Sequence, residues 1–378
     1  MNSWLTKKLG EICDIYQPKT ISKKEMIEGG KYSVYGANGI IGAYDKFNHE
    51  DSELLITCRG ATCGSVNVSV PKSWINGNAM VVRSKDENIL SKEFLRYFFI
   101  SIDLSSVITG SAQPQITRQT LSPFEIPLPP LPEQQRIVKI LDEAFEKIAK
   151  AKENTEKNLQ NSKDLFESYL RGVFAKPGED WEEKRLGDIC DFVRGPFGGS
   201  LKKSILKKNG YAVYEQRHAI YDQFTRVRYF IDENKFNEMK RFELKPGDLI
   251  MSCSGTMGKI AIAPEGIKKG VINQALLKLS PKKDLLNEFL KDWMDSGVFQ
   301  DDLKKYTKGA AIKNVVSVKI LKGIKIFVPK MQEQKSIVAK LDALSAETKK
   351  LEENYKKKLA DLEELKKSIL KKAFAREM

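Results

Sequence analysis

The sequence predicts a mixed α/β protein in which two similar globular domains are joined by two long antiparallel coiled-coil helices with pseudo-twofold organisation. Three observations predict it. The 378-residue chain repeats itself once. One segment of each repeat carries heptad-spaced apolar residues. The remainder alternates short β-rich runs with Gly and Asn turns.

The repeat is explicit at residue level. Trp4-x4-Leu9-Gly10-Glu11-Ile12-Cys13-Asp14 recurs as Trp181-x4-Leu186-Gly187-Asp188-Ile189-Cys190-Asp191. Glu53-Leu54-Leu55-Ile56-Thr57-Cys58 recurs as Asp248-Leu249-Ile250-Met251-Ser252-Cys253, each before a Gly-rich turn. Glu93-Phe94-Leu95-Arg96 recurs as Glu288-Phe289-Leu290-Lys291. From Leu121 onward the offset settles at 200: Pro129-x3-Glu133-Gln134 matches Pro329-x3-Glu333-Gln334, and Phe174-Ala175 matches Phe374-Ala375. A constant offset means that this segment has kept its length while the regions before it drifted. Internal repeats of this kind mark a duplicated architecture. The division is a globular domain over 1–132, a helix over 133–176, a second domain over 177–332 and a second helix over 333–378.

In the first globular domain the β-rich runs include Leu54–Thr57 and Ala79–Arg83, followed by a helical pattern at Lys92–Ile102. Each long helix opens just after prolines or their equivalents, where proline is tolerated. The predicted seam runs through Ile137, Leu141, Ala144, Ile148, Ala151, Thr155, Ser162, Leu165 and Tyr169. Its counterpart is Ile337, Leu341, Leu344, Thr348, Leu351, Tyr355, Leu362, Leu365 and Ile369. About 40 residues at ~1.5 Å each give a rod of roughly 60 Å. A helix with one apolar stripe needs a partner, and its own repeat is the natural one. The first helix ends at the second domain and the second begins there, so the pair is expected to be antiparallel, with a head at each end of a rigid spacer. The second domain has β-rich runs at Tyr211–Tyr214 and Ala275–Leu279 and a helical pattern at Asn287–Leu303.

Charge and cysteine usage narrow the function. The chain carries a net +14; residues 177–332 hold +9 of it and residues 1–132 only +1. A basic surface suits a polyanion such as DNA or is simply solvated. Five cysteines and two histidines supply no metal-ligand spacing, so no metal site is expected. No apolar run reaches the ~18 residues of a membrane span, and Met1 to Gly10 lacks a secretory pattern. These features predict a cytoplasmic protein. Enzyme motifs are absent too. Gly255-Thr256-Met257-Gly258-Lys259-Ile260 lacks phosphate-loop spacing. Pro129-Pro130 is flanked by Leu128 and Leu131, not by the residues of an amino-methyltransferase motif. Glu182-x-Lys184 resembles part of a nuclease core, but no upstream carboxylate lies on a plausible buried strand. Two heads on a spacer with no active site suggest a molecular caliper.

The run Ile126-x-Leu128-Pro129-Pro130-Leu131-Pro132-Glu133-Gln134-Gln135-Arg136-Ile137-Val138, after Gly110-Ser111-Ala112-Gln113-Pro114-Gln115-Ile116, strongly resembles the first conserved region of the specificity subunits of type I restriction-modification systems. Tyr35-Gly36-Ala37-Asn38-Gly39 and Arg59-Gly60-Ala61-Thr62-Cys63-Gly64 resemble one class of target-recognition domain. In the second copy Lys330 and Gln332 replace two of the prolines.

The resemblance implies a non-catalytic subunit whose two target-recognition domains each read half of a split, asymmetric DNA site. It implies that the spacer helices set the gap and dock two modification subunits, which bind S-adenosylmethionine and methylate adenine. Restriction subunits using ATP and Mg would complete the complex; this chain would bind no cofactor itself. Candidates for reading DNA are Tyr35, Asn38, Arg59, Gln113 and Gln115 in the first head and Gln216, Arg217, His218, Lys313 and Asn314 in the second. Lys202 and Lys203 are candidates for backbone phosphates. Arg, Asn and Gln suit base edges, although each loop residue could equally cap its own backbone. Phe145, Leu159, Phe166, Leu170, Leu359 and Leu370 lie off the predicted seam and are candidates for subunit docking. The alternative class is a non-catalytic coiled-coil scaffold without nucleic acid.

Overall fold

The computed structural model describes residues 4–110, 112–307, 317–375 and 377. The chain divides into two compact units: 1–156 with 357–378, and 157–356. Each unit therefore holds one globular head and part of both long helices.

In the first unit, strand Leu5–Lys8 pairs antiparallel with Glu125–Leu128. A single helical turn, Leu9–Ile12, leads into Cys13–Tyr16. That strand edges a four-stranded antiparallel sheet, followed by Ala79–Ser84, Leu54–Thr57 and Val66–Val68. A smaller sheet places Tyr32–Gly36 between Gly39–Tyr44 and Trp74–Ile75, the latter pair parallel. Helix Lys92–Ser101 starts at Ser91, whose hydroxyl accepts the Phe94 N–H. Its buried Phe94 and Phe98 pack with Leu54, Ile56 and Met80 from the sheet.

The second unit repeats this plan. Glu182–Arg185 pairs with Lys325–Val328. The central sheet runs Cys190–Arg194, Leu276–Pro281, Leu249–Ser252, Ile260–Ile262. The second sheet has four strands here: Phe230–Ile231, Tyr211–Tyr214, Gly270–Ile272 and Glu243–Leu244. Helix Asn287–Asp295 is followed by an additional helix, Gly297–Thr307. At the corresponding place the first unit has only a short turn, Ser105–Val107.

The long helices are continuous, Leu131–Ala175 and Met331–Phe374. In the first unit Ile137 and Leu141 share a core with Leu370 and Ala373, and Lys152 Nζ meets Glu363 at 2.7 Å. In the second, Leu170 and Phe174 share a core with Val338 and Leu341. Numbers rise on one helix as they fall on the other, so the pairing is antiparallel. Thr155, Ser162 and Thr348 are buried in the stripe, and each hydroxyl donates to a carbonyl four residues back.

The seam departs from the sequence expectation beyond Ser162 in the first helix and at Leu351 (40% exposed) and Leu365 in the second. Leu165 (54%), Tyr169 (43%) and Leu365 (47%) are exposed. Phe166 turns inward instead, and Leu170 and Leu370 are buried core residues. A strict seven-residue repeat drifts by ~20° per heptad on a straight helix. The buried stripe therefore takes successive steps of four, through Ser162, Phe166, Leu170 and Phe174. Leu170 and Leu370 accordingly cannot be surface docking residues. Phe145, Leu159 and Leu359 are half-buried, and Phe145 stands edge-on to Tyr97 at 5.5 Å.

One pair of equivalent positions differs in chemistry. In the first unit the Tyr97 hydroxyl donates to Asp142, with Arg96 over the Tyr97 ring at 4.3 Å. The matching residues in the second are Lys291, Asp292 and Asp342. Asp292 keeps a buried carboxylate oxygen without a hydrogen-bond partner. Burial first, then the charges of Asp342, Asp295 and Glu288, push its carboxyl up to about 7, against the pull of Lys291. Lys291 is itself engaged by Asp295 at 2.9 Å. A pKa raised on folding means that stability is fully present below the unfolded value, near 3.8. It drains as pH rises towards 7 and is flat above. At about 1.36 kcal/mol per unit, Asp292→Asn should recover on the order of 2–4 kcal/mol at pH 8 and little near pH 4. Thermal melts of both chains across this range check it; parallel melting curves at every pH would refute the assignment.

Candidate nucleic-acid interface

In the first head the loops converge at the end of the central sheet where Leu54–Thr57 finishes. Gly60 and Gly64, at φ +90° and +92°, turn the chain back. The Gly60 N–H donates to Pro114 O at 3.0 Å and the Ile116 N–H to Cys58 O at 3.0 Å. Arg59 and Gln115 form a backbone bridge, and Gln115 exchanges two bonds with Thr109, each 2.8 Å. Thr57 Oγ1 donates to Ala37 O, tying the Asn38-Gly39 hairpin turn to the same strand end. Asn38, Arg59, Gln113 and Gln115 are all exposed there. The backbone at Asn38, Arg59 and Gln115 is held by these bonds while the side chains are presented to solvent, as base readout requires.

Tyr35 is not part of this surface. It is buried against Leu55 and Ile75, and its hydroxyl accepts the Val70 N–H at 3.1 Å. Val34, Tyr35 and Gly36 are buried in succession, with a register shift between Val34 and Tyr35, so the ring packs inside the head.

The second head is built alike. The Gly255–Gly258 turn follows Leu249–Ser252, with both glycines at positive φ. Cys58 and Cys253, at matching strand ends, are buried anchors. Gln17 Nε2 lies 3.0 Å from Cys58 Sγ, and the Cys253 thiol donates to Met251 O at 3.4 Å, with the Arg194 charge nearby. Burial pushes Cys253 up to about 11 and Cys13 and Cys190 to about 12, so these thiols act as packing groups. Sequence reasoning does not single out Gln17 or Arg194. It also passes over the Ile75-Asn76 and Ile272-Asn273 repeat, whose asparagines begin the turns at the same sheet end.

Gln216 and Arg217 are half-buried at the start of helix Gln216–Tyr221. His218 is fully buried between Tyr214 and Phe224, and its Nδ1 serves the helix cap at Glu215. Burial holds its pKa below the ordinary value, so it is neutral and internal. Its expected role in base reading is therefore set aside, since the cap and the aromatic packing occupy the ring. Lys202 and Lys203 are exposed. Arg228, by contrast, is engaged by the Glu215 carboxylate at 2.9 and 3.0 Å. Lys313 and Asn314 lie outside the described residues.

Among the described residues no group of three or more His, Cys, Asp or Glu could hold a metal ion, and no helix is long and apolar enough to cross a membrane.

Known proteins carry the same architecture. The specificity subunit of the type I restriction enzyme MjaVIII from Methanocaldococcus jannaschii is 25% identical over 364 residues, covering 89% of this chain and 82% of its own. A solved structure described as the structural basis of complex assembly and conformational transition of the type I R-M system has a TM-score of 0.79 at 21% identity. That match covers 100% of this chain and 99% of the other. The HsdS subunit from Thermoanaerobacter tengcongensis gives a TM-score of 0.63 at 20% identity, covering 100% and 97%. The family model described as the type I restriction modification DNA specificity domain matches residues 1–160 and again 178–361. With one match on each copy of its repeat, this chain belongs to the type I restriction modification DNA specificity family and is a non-catalytic, DNA-recognising specificity subunit.

Proposed function

We propose that each head reads one half of a bipartite, asymmetric DNA site through the loops at the end of its central sheet. The observation that supports this most is the duplication of one loop cluster, rigid in backbone and polar in side chain, on two diverged heads. Divergence between the clusters makes the two half-sites different. In the first head Asn38, Arg59, Gln113 and Gln115 are the base-reading candidates. In the second they are Gln216 and Arg217, with Lys202 and Lys203 on phosphates. Two modification subunits carrying S-adenosylmethionine methylate adenine at the site, and restriction subunits supply ATP- and Mg-dependent cleavage. The complex works on chromosomal DNA in the cytoplasm.

The test is to co-express the chain with its modification subunits and sequence the methylated genome of the host. A split motif with two different halves is expected. A continuous or palindromic motif, or no motif, would overturn the reading. On the site so identified, Lys202→Gln with Lys203→Gln should flatten the log–log salt dependence by about 0.9 for each phosphate left unneutralised. Sequence preference should stay unchanged. An unchanged slope would place both lysines in solvent.

A further inference from the structure

Phe197 is 94% exposed, far more than any other large apolar side chain among the described residues. Its backbone is not free to bury it. Gly195 sits where a Cβ would come within 1.8 Å of Asn273 O, so the loop leaves the sheet pressed against the 273–274 turn. The Gly195 N–H donates to Leu276 O at 2.9 Å, and Pro196 is buried with its φ fixed. The Ser200 N–H returns to Phe197 O at 2.9 Å, closing one tight turn over Gly198–Ser200. The ring therefore stands at the apex of a braced loop. Arg194 lies on one side of it in the chain and the exposed Lys202 and Lys203 on the other. The loop leaves the end of Cys190–Arg194, next to Cys253 and the Gly-rich turn, which is the loop cluster assigned above to DNA.

A rigid, solvent-facing aromatic between cations has little to gain from water. A duplex offers such a ring the apolar faces of stacked bases, and the flanking cations suit the phosphates on either side. We propose that Phe197 is a wedge that enters between two base pairs of the half-site read by the second head, rewarding a step that unstacks easily. This deepens the DNA-reading function and rests on it. Pyrimidine–purine steps open most readily, and side chains inserted there kink the duplex. Specificity at that step then arises from deformability, without a hydrogen bond to either base.

The experiment uses the chain assembled with its modification subunits. The duplex carries the methylated motif, with 2-aminopurine placed in turn at each position of the second half-site. The parental complex should raise fluorescence at one step. Phe197→Ala should abolish that rise and weaken binding about tenfold. It should also erase the preference for a flexible step there, while discrimination at the first half-site is unchanged. Phe197→Leu should retain part of the signal. Because the side chain is exposed, neither change threatens folding, and an unaltered melting temperature verifies this. A parental complex that discriminates both half-sites yet unstacks no position overturns the wedge alone. So does a Phe197→Ala complex with the parental signal. A parental complex that binds no duplex overturns the DNA reading and the wedge together.

Discussion

Gln134→Ala is expected to destabilise the first unit by about 3 kcal/mol, and Gln334→Ala the second by a similar amount. Both amides are fully buried. Gln134 accepts the Ser91 N–H at 2.9 Å and donates to Ile89 O at 2.7 Å and Pro129 O at 2.9 Å. Gln334 accepts the Leu286 N–H at 2.8 Å and donates to Asp284 O at 3.0 Å and Pro329 O at 2.9 Å. Each therefore joins the first turn of a long helix to the entry of the head's own helix and to the end of the preceding strand. Truncation strands one buried N–H and two buried carbonyls, at about 1–3 kcal/mol each before relaxation or entry of water. Gln→Glu keeps the acceptor but turns two donors into repulsions, so it should be worse at pH 8 than at pH 5. Denaturant unfolding measures both substitutions, and the effects should add because the sites share no partners. A loss under 0.5 kcal/mol at either site would mean that the glutamine is not a latch.

The latch illustrates how far the sequence can be read. The Pro-x3-Glu-Gln repeat is legible there, as are the two-head plan, the sheet strands and the long helices, because periodicity and duplication are local properties. The partners of Gln134 among residues 89–91 lie more than forty residues upstream, and no local pattern announces them. The first seam is legible through Ser162 and fails beyond it, and the second fails at Leu351 and Leu365, because a seven-residue frame does not follow a helix that keeps 3.6 residues per turn. Tyr35 and His218 mislead for another reason. Their types suit base edges, yet Tyr35 lies in a strand end that the fold buries on both faces, and burial of His218 follows from a cap that only the fold completes. Arg59, Asn38, Gln113 and Gln115 fall together because Gly and Pro mark the turns that expose them. Phe197 escapes notice because an apolar residue in a loop reads as core unless its surroundings are known.

The corrected seam yields the last expectation. Leu165 and Tyr169 lie one turn apart on one exposed face of the first long helix. Leu365 is their exposed counterpart on the second. If modification subunits dock on the long helices, these exposed residues, rather than the buried Leu170 and Leu370, offer them apolar surface. Burying a leucine or tyrosine there contributes about 1.5–3 kcal/mol per side chain, and an aspartate in its place leaves a desolvated charge. On that proposal, Leu165→Asp with Tyr169→Asp should abolish docking of a modification subunit at the first helix, and Leu365→Asp should weaken docking at the second. The chain itself should keep its melting temperature, since an exposed helical Asp costs under about 1 kcal/mol per site. Leu170→Asp behaves oppositely: it places a carboxylate in the core shared with Phe289 and Leu341 and unfolds the second unit. Light scattering of the purified complexes gives the subunit count, and thermal melts of the chain alone give its stability. A double mutant that carries as many modification subunits as the parent would show that they grip another part of this chain.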